Sequence, residues 1–115
     1  MHELSIALGI LEIAAEESEQ RGNAQIEAIH LKIGPLSGVV KEALTSSFQL
    51  AAEGTPFAHS RLVIEDVPIV VFCSACNAER TVSSMQWFHC AECGMPVSEV
   101  LQGKELQVCA MELTE

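Results

Sequence analysis

Apolar residues recur at Leu4, Leu8, Leu11 and Ala15, while Glu12, Glu16 and Glu19 follow a polar side. This 3.6-residue period predicts a helix over Leu4 to Arg21, and Gly22 with Asn23 supplies the stop. Ile6, Ile10 and Ile13 widen the apolar arc, so the helix is expected to be buried on more than one side. The period then changes to two: Ile29, Leu31 and Ile33 alternate with His30 and Lys32, predicting a strand within Ala24 to Ile33 with one buried face. After a turn cluster at Gly34-Pro35-Leu36-Ser37-Gly38, helical spacing returns from Val40 to Glu53. Its face is Ala43, Leu44, Ser47, Phe48 and Ala51, with Gly54 at the end.

Thr55 to Ser60 reads as a loop and Leu62 to Val67 as a second strand, closed by Pro68. Lys104 to Leu113 alternates again, with Leu106, Val108 and Ala110 facing one way and Gln107, Cys109 and Met111 the other. No strand in the intervening segment is placed to cover that apolar face, so the last strand is expected to return to the first domain. The predicted fold is α+β: two helices packed on a three-stranded sheet, with a four-cysteine zinc-ribbon module inserted before the last strand. The domains follow as 1–68 together with 104–115, and 69–103.

The inserted segment carries two tight pairs, Cys73-Ser74-Ala75-Cys76 and Cys90-Ala91-Glu92-Cys93, thirteen residues apart. Val70-Val71-Phe72 and Met85-Gln86-Trp87-Phe88 lead into them as strands of a zinc ribbon do. Four thiolates at about 2.3 Å satisfy tetrahedral zinc and leave no open position for substrate. In such knuckles the residue after the second Cys often needs a positive φ. Gly94 meets that need directly, and Asn77 is the usual non-glycine substitute. A redox dithiol would instead place one Cys-x-x-Cys at a helix start within a βαβ unit, a context neither pair has. His89 abuts Cys90 and reads first as an exposed strand residue, second as a replacement ligand. Cys109 is expected to be a buried or half-buried apolar residue.

Charge narrows the partners. Sixteen acidic residues against six basic ones give a net charge of -10, falling to about −12 once four thiolates hold a dication. That field repels a nucleic-acid backbone, whose affinity comes from Lys and Arg, and suits metal cations or a basic protein surface. No apolar run approaches the roughly 18 residues of a membrane span. The start lacks a signal peptide's basic region, and five cysteines is an odd count for disulfide pairing. A cytoplasmic metal-binding protein, with no nucleic acid or membrane partner, is expected.

Met1-His2-Glu3 offers a second kind of metal chemistry. The α-amine of Met1, the amide nitrogen of His2 and its imidazole Nδ1 close five- and six-membered chelate rings on one metal. Planar nitrogen donation suits Ni(II) or Cu(II), and Glu3 can add an oxygen. From the tripeptide alone, an unliganded, frayed terminus is the ordinary expectation.

Met1-His2-Glu3-Leu4-Ser5 opening a helix, Leu31-Lys32-Ile33-Gly34-Pro35-Leu36-Ser37-Gly38-Val39, the two knuckles and the closing Gly103-Lys104-Glu105-Leu106-Gln107-Val108 occur in this order. Together they resemble the HypA/HybF family of hydrogenase-maturation nickel metallochaperones over essentially all 115 residues. The resemblance implies a non-enzymatic carrier that helps load nickel into the large subunit of a [NiFe]-hydrogenase. Nickel would be held at His2 and Glu3 as transferred cargo, and structural zinc at Cys73, Cys76, Cys90 and Cys93. It further implies the nickel-handling GTPase HypB as partner and, for some members, urease maturation proteins; homodimerisation stays open. The second knuckle departs from the family's frequent Cys-Pro-x-Cys-Gly, and Asn77 stands where Gly is frequent, but neither change removes a ligand. Cys109 is not part of that pattern. The alternative is a zinc-ribbon adaptor that docks proteins without carrying nickel. An oxidoreductase or a zinc hydrolase is the less favoured, enzymatic reading.

Overall fold

A computed structural model describes residues 3–82, 88–97 and 99–114. Helix α1 spans Glu3–Gln20, strand β1 Ile26–Ile33, helix α2 Lys41–Ala52 and strand β2 Arg61–Asp66. Strands β3 Ile69–Cys73, β4 Ala78–Val82 and β5 Glu99–Gln102 follow, and β6 Leu106–Leu113 closes the chain. Two three-stranded sheets result, ordered β2-β1-β6 and β4-β3-β5. The last strand does return to the first sheet, beside β1, as its otherwise uncovered apolar residues required.

The chain divides into two compact units, one of Met1–Leu31, Val39–Glu65 and Gln107–Glu115, the other of Lys32–Gly38 and Asp66–Leu106. In the first, α1 and α2 pack on each other. Its core is built from Ala7, Ile10 and Ala14 of α1, Leu44, Phe48 and Ala52 of α2, and Ile26, Ala28, Ile29 and Leu31 of β1. Ser60, the one buried polar residue among the described residues, is satisfied by donating to the carbonyl of Ile26 at 2.5 Å. The second unit has a far smaller core of Ile69, Val71 and Val82, supported by half-buried Leu36, Phe88, Val97 and Val100.

Backbone approach at Gly34 ties the Gly-Pro turn into that second unit. Gly34 N–H donates to the carbonyl of Glu105 at 2.9 Å, and Leu36 N–H to that of Gly103 at 2.8 Å. A Cβ at Gly34 would overlap the Gly103 carbonyl, so no other residue fits without moving backbone. Pro35–Ser37 then forms a single 3-10 turn, and Gly38 at φ 78 ends it.

Three expectations need correction. The buried stripe of α1 is Ala7, Ile10 and Ala14, while Leu4, Leu8 and Ile13 are exposed. The helix therefore buries one side only, and that side lies one residue off the leucine stripe. Small alanines at 0% exposure allow close approach of the neighbouring helix, which larger leucines would prevent. In β6 the alternation slips: Leu106 and Val108 are half-buried, Cys109 and Ala110 are both exposed, and Met111 and Leu113 are half-buried. β6 is an edge strand, where such irregularities are accommodated most easily. Cys109 is accordingly exposed, not buried, with its thiol 3.4 Å from the His30 carbonyl. Of Met85-Gln86-Trp87-Phe88, read as the lead into the second knuckle, all but Phe88 lie outside the described residues.

Candidate metal centre

β3 delivers Cys73 at its last residue, and antiparallel β4 leaves the knuckle at Ala78, its partner across the ladder. Between them the chain must reverse in four residues, which places Asn77 at φ 53; in the second knuckle Gly94 sits at φ 76. Both left-handed positions are those the sequence marked. The turns aim backbone N–H groups inward: Cys76 N–H lies 3.4 Å from the Cys73 sulfur, and Gly94 N–H closes on the Cys90 carbonyl at 2.9 Å.

All four Sγ atoms lie within 4.8 Å of one another. Cys73 and Cys93 are 3.6 Å apart, and Cys76 and Cys90 3.8 Å. A tetrahedron with metal–sulfur bonds near 2.3 Å has sulfur–sulfur edges of about 3.8 Å, so the four donors fit zinc. These spacings are far beyond a disulfide's roughly 2.05 Å. Each of these two contacts also joins one knuckle to the other, whereas a Cys-x-x-Cys redox couple pairs within its own motif. This is a structural zinc site of the four-cysteine class, and it is the only such cluster among the described residues.

The cluster is electrostatically uneven. Backbone N–H groups of Cys93, and after it Glu92, favour the Cys90 thiolate and hold its pKa down to about 6 despite burial. Cys76 is pushed up to about 12, chiefly by sharing its proton with the sulfurs of Cys93 and then Cys90. Thiols this close cannot all ionise without a cation among them. Sequence reasoning missed Arg80: its half-buried guanidinium donates to the Glu79 carbonyl at 3.0 Å, and the Cys90 and Cys76 thiols push its pKa up. The available signal was that Arg80 is the only Lys or Arg between Cys73 and Cys93.

A family model described as "Hydrogenase/urease nickel incorporation, metallochaperone, hypA" matches residues 1–113. The chain belongs to the HypA family. Hydrogenase maturation factor HypA of Chloroflexus aurantiacus is 49% identical over 112 residues, covering 97% of this chain and 98% of the relative. The factor of the same name from a Roseiflexus species is 39% identical, covering 97% and 91%. Solved structures share the fold. The solution structure of the Ni metallochaperone HypA from Helicobacter pylori superposes with a TM-score of 0.66 at 23% identity, covering 98% of this chain and 97% of that one. A second solution structure of a HypA protein gives 0.72 at 22%, covering 99% and 97%. HypA proteins are maturation factors and metallochaperones, not a family of catalysts, in keeping with four cysteines that would fill a tetrahedral zinc site.

Glu3 is the first residue of α1, half-buried, and its Oε2 accepts from Val40 N–H at 3.4 Å. His2 lies outside the described residues. His89 is half-buried and bridges to Pro96, short of the exposed position first expected of it.

Proposed function

We propose that this chain is a cytoplasmic nickel metallochaperone that binds Ni(II) at its N-terminus and helps insert it into the large subunit of a [NiFe]-hydrogenase. The observation that carries the reading is the family match across residues 1–113, which takes in the Met1-His2-Glu3 start. His2 supplies its amide and imidazole nitrogens, the Met1 amine a third donor and Glu3 an oxygen. The contact from Glu3 to Val40 is long and exposed, so the carboxylate is easily turned to a metal. Cys73, Cys76, Cys90 and Cys93 hold zinc permanently, and the chain has no catalytic role.

On this reading 1–68 with 104–115 acts as the nickel-binding domain and 69–103 as the zinc-binding domain. HypB and the hydrogenase large subunit are the partners, urease maturation proteins a further outlet, and self-association into a homodimer a matter for sedimentation. A terminal, exposed nickel site suits a carrier because a recipient can exchange its ligands one at a time.

Calorimetric titration of Ni(II) into zinc-loaded protein with Met1 at its free N-terminus tests this, beside His2→Ala. One-to-one binding is expected in the parent and lost in the variant, with zinc content unchanged. Imidazole must be neutral to coordinate, so affinity is also expected to fall steeply below about pH 6.5. Equal, pH-independent binding by both proteins would sink the N-terminal site and leave a zinc-ribbon adaptor.

A further inference from the structure

Helix α1 turns a row of apolar side chains to solvent. Leu4 and Leu8 are 46% and 50% exposed, Ala15 is exposed, and Leu11 between them is half-buried. Steps of four, three and four residues put them on one stripe, about 16 Å long at 1.5 Å per residue. The buried side of the helix is a different stripe, Ala7, Ile10 and Ala14, so packing within the unit does not use these leucines. Helix formation does not call for them either, since Glu, Lys or Gln sustains a helix about as well as Leu. A single exposed leucine is ordinary; a row of them on one helix face is not.

Charge says what can cover it. Glu12, Glu16 and Glu19 are exposed and run beside the row, bordering it on the side away from the buried stripe. Arg21, the only Lys or Arg before Lys32, bonds Glu17 instead, at 2.6 Å. A second copy of the chain would bring the same acidic border against itself, in a molecule of net charge -10. We propose that the face of α1 formed by Leu4, Leu8, Leu11 and Ala15 is a docking surface for a partner protein that presents an apolar groove bordered by Lys and Arg. A helix laid in a groove anchors through residues at i, i+4 and i+7, the spacing of Leu4, Leu8 and Leu11. The charged border aligns the pair and speeds encounter. Leu4 directly follows Glu3, so a partner seated here sits at the end of α1 that carries that carboxylate. The surface belongs to the carrier role proposed above and rests on that reading.

The test uses the GTPase HypB as probe, titrated by calorimetry into full-length zinc-loaded parent, Leu8→Ala, Leu8→Glu, Glu16→Lys and Leu50→Ala. Leu50 serves as control because it is apolar and 65% exposed but stands on α2, outside the row. Nickel binding by each protein is measured alongside and is expected to match the parent throughout. Leu8→Glu is expected to weaken HypB binding about thirtyfold, the effect of losing one apolar anchor. Leu8→Ala weakens it less, and Leu50→Ala matches the parent. The parent's affinity falls as salt rises, and Glu16→Lys weakens binding at low salt, because each removes attraction across the charged border.

Binding of HypB to Leu8→Glu as tight as to the parent overturns the proposal. So does an affinity that neither salt nor Glu16→Lys changes, or equal weakening by Leu50→Ala. If Leu8→Glu fails to fold, Leu8→Ala decides, because truncating an exposed side chain barely alters stability: weaker binding upholds the surface and parent-like binding rejects it. A parent that does not bind HypB at all defeats the carrier reading, and the surface with it. HypB binding that is intact but indifferent to Leu8 leaves that reading standing and removes only the surface.

Discussion

His30 Nε2 and Glu112 Oε2 meet at 2.6 Å across 82 residues of sequence, with an Arg61 nitrogen 3.8 Å from the same carboxylate oxygen. Strand order places β1 between β2 and β6, so one residue from each strand contributes to the cluster. The His30 hydrogen bond, with the charge of Arg61 assisting, holds the Glu112 carboxyl below its ordinary 4.5. A carboxyl whose pKa is lowered on folding stabilises the fold above its unfolded value, and that contribution disappears as pH falls through the lowered one. Glu112→Gln is therefore expected to be less stable than the parent near neutrality, with the gap closing under acid. Urea denaturation across pH checks this, and a gap unchanged at about pH 3 would mean that Glu112 acts through packing. Nothing in the local spacing of His30 or Glu112 announces the pair. By contrast the zinc ligands and their left-handed neighbours Asn77 and Gly94 were legible at once, because a knuckle is four residues of local geometry.

At the scale of elements, α1 shows where periodicity runs out. Its residues are apolar enough on several sides that leucine spacing and alanine spacing both fit a helical period. Partner geometry chooses the alanine side, leaving Leu4 and Leu8 about half exposed. Ile10→Ala is thus expected to cost roughly 2–5 kcal/mol, and Leu8→Ala to stay within about 0.5 kcal/mol. Thermal or denaturant unfolding of the two variants measures both, and equal costs would return the leucines to the core. α2 posed no such choice. Leu44 and Phe48 stand on a stripe otherwise lined by small or polar residues, and both are buried as their spacing implied.

For the whole molecule, the two units differ in what holds them. Among the described residues the first has eleven buried apolar residues and the second seven, two of which are the ligands Cys73 and Cys90. So small a core does not supply a folding free energy by itself. Structural zinc contributes roughly 10–16 kcal/mol of apparent binding free energy, which in such a unit is folding free energy. Removing zinc with a chelator is expected to abolish amide protection in Ile69–Cys73, Ala78–Val82 and Glu99–Gln102 while α1 and α2 keep theirs. Hydrogen exchange followed residue by residue reads this out. Loss of protection in the helices as well would show that the metal supports the entire chain. No helix among the described residues is long and apolar enough to cross a membrane.

Sequence alone determined the order of elements outside the four-cysteine segment, the return of the last strand, the set of four cysteine ligands and the knuckle residues that take positive φ. Each depends on spacing within a few residues or on an apolar face that must find cover. Tertiary structure decided which side of α1 is buried, that Cys109 and Ala110 both face solvent, that His30 meets Glu112, and that Arg80 shares a sheet face with Cys73. Those outcomes depend on which distant segment arrives alongside, and a one-dimensional period carries no information about that neighbour.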